Sequence, residues 1–502
     1  MTRLSRRRLL KLGAAGLAAS ALPSFASAAD QAAAEELQPA PSPPIVFKYA
    51  ELGKTSPVAS KDIVASPLGV GFECLDRMMF DPRRAYAHVG RLGVKWARCQ
   101  TGWARTERKP GEYDFAWLDE VADSLLAEGV QPWFSVSYGN RLYSPLAPTW
   151  PAVGWAPILT HEARSAWLRY TRTLVRRFSD RVSHWEIWNE SNASAFWAPM
   201  KSSPESYTEL VKLTSAEIRN SAPNAQIIGG AFSGMPMDFL EGCLKLGMAD
   251  CVDIISFHPY GIMPEMRRKG LTYPAALQDW KNLIARYNPK IKHWQGECGL
   301  PSQGGKGAGV LMNFPWNETH QAKWLLRRIL MDRLCGLDMT SYFTAVDLDY
   351  GMGEVPDKIN YKGLIRWTDY SPKRAYFAYQ CLCPLFDAQT ALDDAPVDIL
   401  QTTLASEQRG MIHTGRFVRN GKAIVAVWFP SELPNPFTPQ TISLGLPIDD
   451  RVTIGEPVLI DPLSRKVFRL DGAKVEAKRL TLAGLPLADY PLLITDRRVA
   501  LA

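Results

Sequence analysis

Ser183-His184-Trp185-Glu186-Ile187-Trp188-Asn189-Glu190 alternates its side chains over six residues and then stops on two polar ones. That is the pattern of a β-strand that ends where chemistry can be exposed. The flanking segments have a different period. Glu162–Phe178 before it and Pro204–Ser221 after it place apolar residues three and four apart, as one face of a helix does. A strand between two long amphipathic helices is a parallel β/α unit. Working outward, the same unit recurs. Strands are predicted at Leu68–Phe72, Val94–Arg98, Gln131–Val136, Ser183–Trp188, Gln226–Gly230, Val252–Phe257, Lys292–Gly296 and Met339–Thr344. Further helices are predicted at Pro82–Leu92, Ala116–Glu128 and Pro372–Leu382. Asp81 before Pro82 marks a helix start and Gly129 a helix end. Eight units in about 320 residues predict a (β/α)8 TIM barrel over residues 67–386. The rival is a doubly wound open sheet, which needs a glycine-rich phosphate turn after its first strand. Here Gly69-Val70-Gly71 lies inside the strand, and no such turn follows.

Beyond residue 386 the period changes to two. Gly410–Arg419, Ala423–Phe429, Thr441–Leu446, Val452–Ile460 and Leu492–Thr495 read as short strands between turns, an all-β sandwich over residues 387–502. Residues 45–64 are strand-like and are expected to add a strand to the same sandwich. No Gly/Ser-rich linker follows the barrel's last helix, which predicts a rigid apolar interface between the domains.

Residues 1–28 read as an address. Ser5-Arg6-Arg7-Arg8-Leu9-Leu10-Lys11 resembles the twin-arginine export motif, a mildly apolar run follows, and Ala26-Ser27-Ala28 suits a signal peptidase. The expectation is a bacterial protein exported to the periplasm or secreted, with no membrane anchor after cleavage. Residues 29–66 are then a tether leading into the strand segment. The address also accounts for most of the chain's net charge of +7: without residues 1–28, 53 basic residues face 51 acidic ones. No broad basic surface for nucleic acid remains. The eight cysteines show no zinc spacing, and those within apolar strand and helix patterns are expected to be buried thiols.

A barrel displays its catalytic groups at the C-terminal ends of its strands. Two glutamates stand there: Glu190 after the fourth strand and Glu297 after the seventh. A desolvated carboxylic acid is a candidate proton donor, and a second carboxylate across the barrel mouth can attack a carbon centre. Glu186 shares a strand face with Trp188 and Glu190 by parity, and reads as a buried carboxylate paired with arginine. Arg98 reads as a barrel-interior ion-pair partner, and His258 as either a site residue or a satisfied core histidine. Asp347, Asp349 and Glu354 lack calcium spacing and read as a polar loop.

Trp185-Glu186-Ile187-Trp188-Asn189-Glu190 resembles the fourth-strand signature of glycoside hydrolase clan A, and Gly296-Glu297 its seventh-strand nucleophile. Trp96-Ala97-Arg98, Gly111-Glu112-Tyr113-Asp114-Phe115 and Ser256-Phe257-His258-Pro259-Tyr260 also resemble clan features, and the chain is most similar to family 39 and its relatives. The resemblance implies Glu190 as acid/base, Glu297 as nucleophile, Asn189 on the sugar 2-hydroxyl, and Arg98, His258 and Tyr260 around them. It implies a retaining glycosidase acting on oligo- or polysaccharides, without metal or organic cofactor. Many members carry Trp at the end of the eighth strand. This chain has Ser341-Tyr342-Phe343-Thr344, and Tyr342 is the candidate there.

Aromatic residues make up 10% of the chain and are dense in the loops after the strands. Trp103 and Tyr138 are candidate sugar-stacking residues, with Tyr143, Trp150, Trp155, Trp197 and Trp316 as further wall candidates. Two other functions use the same residues. A catalytically dead barrel would bind glycans without turnover, and a transglycosylase would exclude water.

Overall fold

The computed structural model describes residues 45–305, 307–351, 358–449 and 451–501. The export address and the tether proper, residues 1–44, lie outside them, as does Glu354. Eight parallel strands close into a barrel in chain order: Leu68–Gly71, Trp96–Gln100, Gln131–Val136, His184–Ile187, Gln226–Ser233, Ile254–His258, Lys292–Gln295 and Met339–Tyr342. Each falls on a predicted strand. The helices between them are fixed at their starts by side chains. Thr160 caps His161–Phe178, Ser203 caps Pro204–Ser221 and Asn317 caps Glu318–Leu334, each accepting a backbone N–H three residues on. His161–Phe178 buries Ala163, Ala166, Trp167, Tyr170, Leu174 and Phe178 against the barrel, which is the predicted stripe.

The N-terminal end of the barrel is plugged with aromatics. Trp133, Ile228, Ile254, Trp294 and Met339 form one cluster, with Trp96 packed on it. Gly69 makes room, since a Cβ there would meet the Cβ of Trp96 at 3.1 Å. His184 lies flat on Trp294, with ring centroids 5.2 Å apart and planes 18° apart. Burial first, and then Lys292, pushes this imidazole from 6.5 down to about 4. The unfolded chain therefore takes up a proton at His184 near pH 6.5 and the folded chain only near pH 4. Stability from this group is full above the first value and is lost as pH falls toward the second, by about 1–3 kcal/mol. Melting temperature should drop across that window, and His184→Phe, which keeps the stack without the titration, should flatten the slope. An unchanged slope would refute the assignment.

The second domain has a seven-stranded and a four-stranded antiparallel sheet. The larger sheet includes the five-residue strand Leu492–Asp496 and, at one edge, Glu51–Lys54, which pairs antiparallel with Lys466–Arg469. The strand segment ahead of the barrel thus joins the C-terminal sheet, as expected. One apolar core runs through both domains, with Phe386 edge-on to Phe417 at 5.0 Å, but the interface also holds buried ion pairs that were not expected. Helix Glu318–Leu334 lies between barrel and sandwich and is buried from His320 to Asp332. On it, Arg327 makes a two-pronged ion pair with Glu265, at 2.7 and 2.6 Å, and donates to the Ser431 carbonyl at 2.8 Å. Trp428 of the sandwich donates to the same Glu265 at 2.7 Å, and Lys323 meets Asp489 at 2.7 Å. Burial raises the Glu265 carboxyl, but Arg327 outweighs it and the net displacement is downward. All eight cysteines are unpaired, six of them buried.

Candidate active site

The fourth strand ends at Ile187, and the parity read from the sequence ends with it. Trp188 (φ 70°) and Glu190 (φ 48°) are both left-handed. This turn sends Trp188 outward, where it packs on Trp167 and Trp197, and brings Asn189 and Glu190 to the barrel mouth. Glu186 therefore does not share a face with Trp188. Its side chain lies inside the barrel, where Arg98 donates to it at 2.6 Å and Ser256 at 2.7 Å. It is the arginine-paired buried carboxylate that the sequence suggested.

Arg98 organises the site. Its side chain is fully buried and uses three nitrogens on four partners: Nε on Glu186, Nη1 on both Glu297 (2.7 Å) and Glu73 (2.9 Å), and Nη2 on the Asn189 Oδ1 (3.0 Å). Five donors in a planar fork suit this task. Tyr260 donates its hydroxyl to the other oxygen of Glu297 at 2.8 Å. Burial raises the Glu297 carboxyl, but His258, Arg98 and the Tyr260 hydrogen bond outweigh it, and its net position is below the usual range. Glu297 is thereby held as an oriented anion.

His258 Nδ1 stands 2.9 Å from the Glu190 Oε1 and 3.8 Å from the Glu297 Oε2. One ligand atom from each of Glu190, His258 and Glu297 lies within 4.8 Å of the other two, so these are also the atoms that could hold a cation. Glu190 and Glu297 keep 11% and 12% of their side chains exposed, while Arg98, Glu186 and His258 are sealed. Of the acids in the cluster, these two face the solvent side.

Six predicted residues are therefore brought together: Arg98, Asn189, Glu190, His258, Tyr260 and Glu297. Others lie elsewhere. Trp103 is 1% exposed, stacks on Tyr143 and Tyr170, and gives its indole N–H to the buried Glu107 at 2.5 Å. It belongs to the aromatic core, because the short helix Trp103–Thr106 turns it back against His161–Phe178. Tyr342 lies on the outer face of the eighth strand, edge-on to Trp324, with its hydroxyl on the Leu300 carbonyl at 3.0 Å. Counting in twos from the inward Met339 puts Ser341 and Phe343 on the inner side, Phe343 beside Cys74 and Leu348, and leaves Tyr342 on the outer face. Tyr138 is buried between Trp188 and Phe196 under the Arg77 guanidinium. Tyr143, Trp197 and Trp316 are core; Trp150 and Trp155 are half-buried.

Two residues of the cluster were not singled out from the sequence. Glu73 follows the first strand and is 1% exposed. Lys362, in the loop after the eighth strand, stands 5.8 Å from the centre of the Tyr260 ring and is pushed down to about 8, chiefly by burial. Glu73 has the same signal as Glu190 and Glu297, an acid just past a barrel strand. Lys362 has none, since its place depends on how a long loop folds back.

The sequence profile described as glycosyl hydrolases family 39 matches residues 96–271, a span that contains Arg98, Asn189, Glu190, His258 and Tyr260 and stops before Glu297. A 6-phospho-beta-glucosidase of Clostridium longisporum is 27% identical over 186 residues, covering 35% of this chain and 37% of that protein. A beta-xylosidase of Geobacillus stearothermophilus is 26% identical over 164 residues, 31% of this chain and 32% of that one. The chain thus spans about a third of the length of these curated relatives. Among solved structures, a family 39 glycoside hydrolase from Bacteroides cellulosilyticus WH2 superimposes with a TM-score of 0.63 at 20% identity, over 88% of this chain and 82% of that one. A GH39 beta-xylosidase from Caulobacter crescentus does so with 0.55 at 15%, over 89% and 97%. These structures share the fold.

Proposed function

We propose that the protein is a retaining glycoside hydrolase of clan A, most like family 39, acting on a carbohydrate substrate outside the bacterial cytoplasm. The observation that carries this reading is the spacing of two carboxylates, Glu190 and Glu297, with ligand oxygens within 4.8 Å of each other. Retaining enzymes hold their carboxyl groups about 5–5.5 Å apart, and inverting enzymes keep room for a water at about 6.5–9.5 Å. The similarity to glycosidases in the family profile and the curated relatives supports the same class.

In this reading Glu297 attacks the anomeric carbon while Glu190 gives its proton to the leaving oxygen. The bond to the leaving group breaks as the glycosyl ester on Glu297 forms. Glu190 then takes a proton from water, which displaces Glu297 and releases the sugar with its original anomeric configuration. Arg98 and Tyr260 keep the nucleophile ionised and aimed, His258 holds Glu190, and Asn189, fixed by Arg98, presents its amide to the sugar 2-hydroxyl.

The test is a panel of activated 2-deoxy-2-fluoro glycosides spanning xylose, glucose, galactose and uronic acids. One of them should inactivate the protein with time, and the peptide carrying Glu297 should gain the mass of one fluoroglycosyl group. Label on another residue, or hydrolysis with an inverted product, would overturn the assignment.

A further inference from the structure

Arg98 offers one positive charge to three carboxylates, Glu73, Glu186 and Glu297, all at 2.9 Å or less. They are not held alike. Glu186 has a donor on each oxygen, Arg98 on one and Ser256 on the other. Glu297 likewise has Arg98 on one and Tyr260 on the other. Glu73 has a single donor, the Nη1 that it shares with Glu297, on its Oε2. Its Oε1 is buried and receives none. That oxygen is packed toward Gly71, where an added Cβ would fall 2.9 Å away. Two full donor sets describe two anions. A carboxylate with one sealed, unpartnered oxygen is costlier as an anion than as a neutral acid, because an unpaired buried hydroxyl costs less than an uncompensated buried charge.

We propose that Glu73 is a positioning residue that remains a neutral carboxylic acid in the resting site, so that Arg98 Nη1 answers to a single anion, Glu297. The proposal rests on the reading of Glu297 as the nucleophile. The groups facing Glu73 are Arg98 from the second strand, Glu186 from the fourth, Glu297 from the seventh, and the thiols of Cys74 and Cys99. Burial first pushes its carboxyl up, Arg98 pulls it down, and the charges of Glu297 and Glu186 push it up again, leaving it well above the usual range. Like charges gathered on one cation in a sealed space do not all ionise, and the one with the fewest donors keeps its proton. The consequence for catalysis is local. An ionised Glu73 would compete for Nη1 and draw the guanidinium away from Glu297. A neutral one accepts the second hydrogen bond of Nη1 and fixes the fork without competing for its charge.

The first measurement needs no turnover. Infrared spectra of the full chain and of Glu73→Gln are compared at a pH near 8, well above the value of about 6 to which burial raises Asp347. The wild-type-minus-variant difference should show the carbonyl stretch of a protonated carboxylic acid, shifting on deuteration. A carboxylate band in its place would overturn the proposal. The second measurement is kinetic, on whichever aryl glycoside is cleaved. Glu73→Ala leaves the guanidinium a buried donor short of a partner and should lower kcat about tenfold or more, with KM much less affected. Glu73→Gln, which returns a neutral oxygen acceptor, should recover most of that loss. Equal losses in the two variants, at unchanged melting temperature, would show that the charge itself is needed and would overturn the proposal. If the chain cleaves no glycoside, the infrared result still decides the state of Glu73, and only the assignment of the nucleophile falls.

Discussion

Replacing Glu297 with alanine is expected to lower kcat by about four to six orders of magnitude, the cost of removing a covalent nucleophile. KM for an activated aryl glycoside should change far less. Azide should restore part of the rate. The truncated side chain leaves a space faced by the Arg98 Nη1 and the Tyr260 hydroxyl, two donors that now hold an anion at 2.7 and 2.8 Å. A small anion in that space attacks from the same side as Glu297, and the product is a glycosyl azide of inverted configuration, which NMR identifies. The effect on stability has the opposite sign. Glu297 is one of three carboxylates on one guanidinium, so the melting temperature of Glu297→Ala should equal or exceed that of the wild type, as when a site strained for function is relaxed. A variant with wild-type activity would end the assignment.

Arg98→Met should damage both fold and function. Its side chain is wholly buried, and its removal leaves Glu73, Glu186 and Glu297 without their shared cation. Breaking a buried pair from one side costs about 3–5 kcal/mol. Arg83→Met, which removes a largely exposed partner of Asp81, should leave stability almost unchanged. Any protein that still folds should show its acid limb of activity moved to higher pH. Arg98 lowers the Glu297 carboxyl, so without it that carboxyl rises and a higher pH is needed to ionise the nucleophile. Denaturant titration of the two variants and a pH–rate profile of Arg98→Met check these expectations. An Arg98→Met protein of unchanged stability would show that the three acids do not depend on this cation.

The barrel was legible because its signal is repeated eight times, and period two against period three to four survives errors at any one strand. Glu190 and Glu297 were legible by place, each just past a strand. Orientation was harder. Tyr342 and Trp103 were judged by residue type and position in a loop or strand end, whereas their direction is set by parity in one case and by a short helix in the other. Trp188 defeats parity altogether, since two left-handed residues cannot be read from Trp and Glu. Helix Glu318–Leu334 hides for another reason. Lys323, Arg327, Arg328 and Asp332 give it a solvated look, but Lys323 and Arg327 find partners on the sandwich more than a hundred positions away, and Arg328 and Asp332 pair with each other inside the barrel domain, where Tyr273 and Thr340 also donate to Asp332. Strand Arg479–Leu487 was not foreseen, because its two exposed positions, Ala483 and Gly484, break the alternation.

The strand Glu51–Lys54 bears on the order in which the molecule is made. Its partner across the sheet edge is Lys466–Arg469, and the ion pair between Glu51 and Lys466 spans 415 positions. At a synthesis rate of about 5–20 residues per second, the ribosome needs about 20–80 s to deliver the second strand after the first. Throughout that interval the first strand has no edge to pair against, while the eight barrel strands, the last of them Met339–Tyr342, are all delivered before it ends. The edge that receives the first segment joins the rest of the larger sheet only through Leu492–Asp496, so no nascent chain stopped short of residue 496 can complete that sheet.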